Sequence, residues 1–248
     1  MLETNISGKT ILVTGATSGI GRAVAERFAA EGVKLVAIGR NRDQLAELKQ
    51  KFPGRVYSYV YNLLDLDHVE EIFSFCKENS LKLDGLVHCA GVAFNSVIRT
   101  NNIEEMEETM RINCFAFMEL GKYFSMKKYS NDESSLVAIS SVEALKNEKG
   151  LSQYAASKAA LNSVIKTMSK EFMRRKIRVN AILPANVKTP MMENTARQIE
   201  NYMEMAVARQ PLGLIEPEYI GYMAEYLLSD LARFMTGELV VMSGGLEY

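Results

Sequence analysis

The chain has 248 residues, with 29 Lys+Arg against 30 Asp+Glu and 48% apolar and 24% charged side chains, the balance of a globular rather than a disordered protein. A net charge of −1 excludes a broad phosphate-neutralising surface, so no nucleic acid is expected as partner, and no apolar run reaches the ~18 residues that cross a membrane. Three cysteines without a Cys-x-x-Cys pair and two histidines exclude a disulfide framework and a His/Cys zinc site, so acid–base chemistry must rest on another group.

At the start, Met1-Leu2-Glu3-Thr4-Asn5 has no basic and apolar leader, which makes cytoplasmic residence the expectation. Strand-like runs then alternate with helical periodicity. Strands are predicted near Thr10–Thr14, Lys34–Ile38, Arg55–Val60, Gly85–His88, Ser135–Ser140, Arg178–Leu183 and Leu239–Met242. Helices are predicted near Gly19–Glu31, Asp43–Lys51, Asp67–Asn79, Ile103–Lys128, Ser152–Lys176 and Pro217–Leu228. The alternation predicts an α/β fold, a parallel sheet of about seven strands with helices on both faces, in one domain over residues 1–248. The segment Thr189–Leu214, with Met191, Met192, Met203 and Met205, is too long for a simple turn and reads as a lid-like insertion or a plain helical one.

The first strand runs through Gly15-Ala16-Thr17-Ser18-Gly19-Ile20-Gly21 into a helix. Gly15 permits a tight turn, Gly19 lets a pyrophosphate approach the backbone, and Gly21 allows close helix–strand packing. Thr17, Ser18 and Ile20 sit where the helix N-terminus offers free N–H groups to an anion. After the second strand, Ile38-Gly39-Arg40-Asn41-Arg42 places no acid where a ribose 2′-hydroxyl would be bound. Gly39 leaves room for a 2′-phosphate and Arg40 can neutralise it, which favours NADP(H), with NAD(H) as the alternative and Arg40 then an exposed turn residue.

The spacing Thr14-Gly15-x-x-x-Gly19-Ile20-Gly21 resembles the cofactor motif of the short-chain dehydrogenase/reductase (SDR) family, and matching motifs follow in order as far as Gly244-Gly245. The resemblance implies a Rossmann-type doubly wound sheet that binds NAD or NADP. Asn62-Leu63 resembles the family's adenine-contacting pair; an Asx turn is the other reading of Asn62. In His88-Cys89-Ala90-Gly91, Ala90 and Gly91 stand where small residues let the cofactor pass, and His88 reads as a packing residue. Pro184-Ala185-Asn186-Val187-Lys188-Thr189 resembles the segment whose backbone at Val187 and hydroxyl at Thr189 would anchor the nicotinamide carboxamide.

Tyr154 and Lys158, four apart in a helical stretch, share one face. A tyrosinate costs about 4 kcal/mol at pH 7. A cation ~5 Å away returns about 3 kcal/mol at an effective dielectric of 20. Lys158 together with an oxidised nicotinamide would therefore bring Tyr154 into a usable range. By resemblance, Ser141 hydrogen-bonds the substrate oxygen, Tyr154 exchanges its proton with that oxygen, and Asn113 holds a water between the lysine and solvent.

Phe94, Val142, Glu143, Leu151, Gln153, Asn186, Met191 and Met192 are the expected pocket positions, with Glu143 and Gln153 as polar handles if they face inward. Among SDR proteins the pattern is most similar to the 3-oxoacyl-(acyl carrier protein) reductases. That similarity implies an NADP(H)-dependent oxidoreductase acting on a ketone or secondary alcohol, as a small molecule or bound to a carrier. Arg175, flanked by Arg174 and Lys176 and joined by Lys127 and Lys128, would dock the carrier, unless these cations only complement helix C-termini. The alternatives are a sugar or polyol dehydrogenase, or a non-catalytic dinucleotide sensor or scaffold. A homotetramer or homodimer is expected through the Ile103–Lys128 and Ser152–Lys176 helices.

Overall fold

Successive side chains of β1 (Thr10–Thr14) point to opposite faces, so that Leu12 enters one apolar cluster while Ile11 and Val13 enter another. The structure, a computed structural model, describes residues 4–248; Met1 to Glu3, where the N-terminal reading begins, lie outside the described residues. Six further strands follow: β2 (Lys34–Gly39), β3 (Val56–Val60), β4 (Leu83–His88), β5 (Ser130–Ile139), β6 (Arg178–Pro184) and β7 (Leu239–Met242). They form one parallel sheet in the order β3-β2-β1-β4-β5-β6-β7. Burial on both faces explains why the central strands are near-continuous apolar runs.

The helices are α1 (Gly19–Ala30), α2 (Arg42–Lys51), α3 (Glu70–Glu78), α4 (Ile103–Met110), α5 (Ala116–Phe124), α6 (Glu143–Lys146), α7 (Ser152–Glu171), α8 (Pro190–Gln198), α9 (Tyr202–Ala208) and α10 (Pro217–Leu228). Val24 and Phe28 of α1, Leu45 and Leu48 of α2 and Leu227 of α10 close one face. Phe73 of α3, Phe117 and Leu120 of α5 and Leu161 and Ile165 of α7 close the other. None of the helices is long and apolar enough to cross a membrane, among the described residues.

Three elements differ from the sequence reading. The long helix predicted over Ile103–Lys128 is α4, one π-helical turn at Arg111–Phe115, and α5, so Lys127 and Lys128 lie beyond its end. β5 begins at Ser130 because a register shift against β4 continues the pairing through the polar, partly exposed stretch Asn131–Glu133, which has no apolar pattern to reveal it. The segment after β6 is two helices, α8 and α9, the first capped by Thr189 with Pro190 in its first turn. The chain leaves β1 for β2 on one side and resumes with β4 on the other, which opens a crevice at the strands' C-terminal ends.

Candidate active site

Thr14 and His88, register partners at the ends of β1 and β4, floor this crevice. Gly15 turns with φ +65°, and a Cβ on it would lie 2.9 Å from the Ala90 nitrogen. A Cβ on Gly21 would lie 2.1 Å from the Gly15 carbonyl oxygen, so the helix–strand packing read from sequence requires glycine there. Ser18 enters α1 in extended conformation without a side-chain cap, leaving the first-turn N–H groups for an anion. Thr17, Ser18, Gly19, Ile20, Arg40, Asn62, Leu63, Ala90 and Gly91 all line the cleft. Arg40 is exposed and has no hydrogen-bonding partner among the described residues. Gly39 lines the cleft beside Arg40, and a Cβ on it would also lie 2.6 Å from the Thr17 methyl, so glycine there seats Thr17 as well. Asn62 makes the Asx turn, accepting from the Leu64 N–H at 3.2 Å, while also facing the cleft. A glycine cradle, an uncapped helix start and an unpaired guanidinium fit an anionic dinucleotide.

Beneath the cradle, His88 is wholly buried and held neutral, its pKa pushed down to about 3 by burial with Lys158 adding to the effect. Its Nε2 faces the Ile112 carbonyl at 3.1 Å, which only accepts, so the proton sits there and Nδ1 accepts from the Thr14 hydroxyl at 2.9 Å. The Thr14 oxygen in turn accepts from the Ala90 N–H. His88 thus ties β1 and β4 to the π turn. Asn113, in that turn, is fully buried: its amide donates to the Val92 carbonyl and to Ser157 Oγ, and its Oδ1 accepts from the Val92 N–H, each at 2.9 Å. Gly91 accommodates this pairing, since a Cβ there would lie 3.3 Å from Asn113 Oδ1 and 3.5 Å from Lys158 Nζ.

Across the crevice α7 presents Tyr154 and Lys158 as the four-residue spacing predicts, and Ser141 follows the end of β5. Lys158 Nζ donates to the Ile139 carbonyl at 2.8 Å and lies 5.6 Å from the centre of the Tyr154 ring. Burial lowers the Lys158 pKa to about 8. Burial, with the Glu143 carboxylate adding, raises that of Tyr154 to about 12, while hydrogen bonding with Ser141 pulls it down. Ser141 Oγ accepts the Glu143 N–H at 3.1 Å. Without a bound cofactor, this neighbourhood keeps the phenol protonated.

Pro184, Val187 and Thr189 line the same space, and Thr189 borders both halves of the cleft. Their loop is clamped by a residue that the sequence reading did not single out. Gln210 is fully buried, its Oε1 accepts the Asn186 N–H at 3.0 Å, and its Nε2 donates to the carbonyls of Asn186 and Gly213. Gly244 gives it room, since a Cβ there would lie 2.8 Å from Gln210 Cγ. A lone glutamine between two helices carries no motif, so no spacing signals it.

Val142, Glu143, Leu151, Asn186, Met191 and Met192 border the substrate side. Phe94 and Gln153 do not. Gln153 precedes Tyr154 by one position, about 100° round the helix, and is buried with its amide donating to the Phe94 carbonyl at 3.4 Å. Arg175 is also engaged elsewhere: it bonds Asp132, the Ser125 carbonyl, and the hydroxyl and carbonyl of Ser130, while Lys176 pairs with Glu133 and Lys128 with Glu70. These three cations fasten the start of β5 and the neighbouring helix ends, while Arg174 and Lys127 are exposed and make no ion pair among the described residues.

A family model described as enoyl-(acyl carrier protein) reductase matches residues 15–247. The 3-oxoacyl-(acyl-carrier-protein) reductase FabG of Thermotoga maritima is 32% identical over 245 residues, 97% of this chain and 98% of that protein. Dehydrogenase/reductase SDR family member 6 of Rattus norvegicus is 30% identical over 245 residues, again 97% and 98%. Among solved structures, the L-sorbose reductase of Gluconobacter frateurii complexed with NADPH and L-sorbose matches with a TM-score of 0.90 and 26% identity, covering 99% of this chain and 98% of that one.

Proposed function

The chain belongs to the short-chain dehydrogenase/reductase family of oxidoreductases, and from that premise we propose that it interconverts a ketone and a secondary alcohol with NADP(H) as its preferred dinucleotide. One observation carries the reading: Ser141, Tyr154 and Lys158 meet on the wall that the glycine cradle opens onto. Bound there, the nicotinamide supplies or accepts the hydride. The backbone around Gly15, Thr17, Ser18, Gly19, Ile20 and Gly21 would hold the phosphates, Arg40 a 2′-phosphate, Asn62 and Leu63 the adenine, and Ala90, Gly91, Pro184, Val187 and Thr189 the nicotinamide end. Ser141 orients the substrate oxygen, Tyr154 gives it or takes from it a proton, and Lys158 stabilises the tyrosinate. Asn113 positions the loop that carries Val92, and α8 with α9 act as a lid over the substrate side.

Two substrate classes fit the cleft. The relatives named for 3-oxoacyl carriers favour an acyl thioester, for which Leu151, Met192, Ile199 and Met205 offer an apolar wall. The polar groups facing the cleft favour a sugar or polyol. The test of the activity itself is to follow NADPH and NADH oxidation separately over a ketone panel. Tyr154→Phe should abolish turnover and leave NADPH binding intact. Arg40→Ala should lower the NADPH-over-NADH preference about 10- to 100-fold, the worth of a charge-assisted phosphate contact. Equal use of both dinucleotides by the unaltered protein would refute the Arg40 assignment.

A further inference from the structure

Three polar side chains that border the substrate side are partly open to the cleft and make no hydrogen bond to another side chain, among the described residues. Glu143 uses Oε2 to accept the Glu148 N–H at 2.9 Å, and its Oε1 has no partner among the described residues. Of the cations on this side, Lys146 and Arg209 both pair with Glu148, and Lys149 is exposed at the mouth and bonds neither carboxylate. The Asn186 amide makes no side-chain hydrogen bond, its loop being held through the backbone by Gln210, and the Tyr202 hydroxyl makes none either, among the described residues. Glu143 borders the same space as Ser141, Tyr154 and Tyr202, and its backbone N–H, two residues on from Ser141, holds the Ser141 Oγ. We propose that the substrate is a neutral hydroxy ketone, or the corresponding vicinal diol, whose second hydroxyl donates to Glu143 Oε1, with Asn186 and Tyr202 receiving further hydroxyls.

The chemistry narrows the class from both sides. A carboxylate or phosphate placed against Glu143 Oε1 would meet like charge there and give it no donor, whatever the cations at the mouth contribute. A 3-oxoacyl thioester presents only methylene carbons beside its ketone and would cover an ionised carboxylate without giving it a donor, at a cost of about 1–3 kcal/mol or more. An ammonium substrate gains little, because Lys146, Lys149 and Arg209 stand at the mouth against Glu143 and Glu148. A hydroxyl one carbon away from the carbonyl satisfies the carboxylate at no charge cost. The inference deepens the ketone–alcohol reading and rests on it.

The test compares 1-hydroxyhexan-2-one with hexan-2-one, which differ only in the second hydroxyl. With the unaltered protein and NADPH, kcat/KM should favour the hydroxy ketone about 10- to 100-fold, the worth of a hydrogen bond to a charged group. Glu143→Leu should collapse that ratio to about threefold or less, while Glu143→Gln, which keeps a carbonyl acceptor, should retain part of it. Calorimetry on Tyr154→Phe with NADP and the pair hexane-1,2-diol and hexan-2-ol reads the same preference without turnover, and Tyr154→Phe/Glu143→Leu should lose it. A ratio near one in the unaltered protein, or an equal ratio before and after Glu143→Leu, overturns the assignment. If neither ketone is reduced with either dinucleotide, the ketone–alcohol reading itself fails. The calorimetry then decides on Glu143 separately: tighter binding of the diol that vanishes with Glu143→Leu supports it, and equal binding of diol and alcohol overturns it.

Discussion

Lys158 shows how the proposed catalytic set opposes stability. Its amine is 4% exposed and its pKa falls to about 8 because burial disfavours the charged form. Between about pH 8 and 10.5 the unfolded chain holds this proton more firmly than the folded one, so folding stability rises with pH across that window, and below it the full penalty applies. That penalty is on the order of 3 kcal/mol, against about 1.5–3 kcal/mol for the charge-assisted bond from Nζ to the Ile139 carbonyl. Lys158→Met, of similar length and apolar, should therefore be inactive yet more stable by about 1 kcal/mol at pH 7. A gain of about 2–4 °C in Tm is expected for a chain of this size. Thermal unfolding at pH 7 and pH 10 checks it: the gain should be largest at pH 7 and shrink at pH 10. A lower Tm at pH 7 would mean that the lysine's packing and hydrogen bond outweigh its desolvation.

At the scale of elements, legibility followed periodicity and local chemistry. The strands that bury both faces, the glycine turn and the i, i+4 pair of Tyr154 and Lys158 were readable because each is fixed by spacing within one segment. The π turn at Arg111–Phe115 was not, since its apolar pattern continues that of a helix and its extra residue per turn is set by tertiary bonds from Asn113 to Val92 and from His88 to Ile112. The Gln210 clamp and the packing of Gly39 against Thr17 were hidden for the same reason, their partners being distant in sequence. Arg175 is the case that matters for function. Its side chain is 13% exposed and makes four bonds that fasten β5 to the end of α5 and to the turn that follows α7. Arg175→Ala should cost about 2 kcal/mol by leaving the Ser125 and Ser130 carbonyls short of a donor, seen as a fall in the urea midpoint. If Arg175 instead docks an acyl carrier, the same variant would lose kcat/KM on a carrier-bound substrate with its midpoint unchanged.

At the scale of the whole molecule, the outer face of the π turn and α5 exposes two large apolar side chains between Arg111 and Lys122. Phe115 is 41% and Met118 43% exposed, one turn apart, and on the neighbouring α7 the exposed positions Ala156, Ala159 and Ser163 are small. A large apolar residue beside a row of small ones suits close antiparallel packing of two such helix pairs about a two-fold axis, the isologous arrangement of a homodimer or of half a tetramer. Asn113 lies in the same π turn as Phe115, so subunit contact would press directly on the segment that sets the Val92 loop. The unaltered chain should therefore run as a dimer or tetramer by light scattering. Phe115→Glu, which places like charges across the axis, should shift it to a smaller species. The dissociated form should lose kcat more than NADPH affinity, because the Asn113 pairing lies in the π turn itself, whereas of that turn only Ile112 borders the dinucleotide cleft. A monomeric mass for the unaltered chain would remove the interface, and a dissociated variant with full kcat would show that the π turn holds its shape unaided.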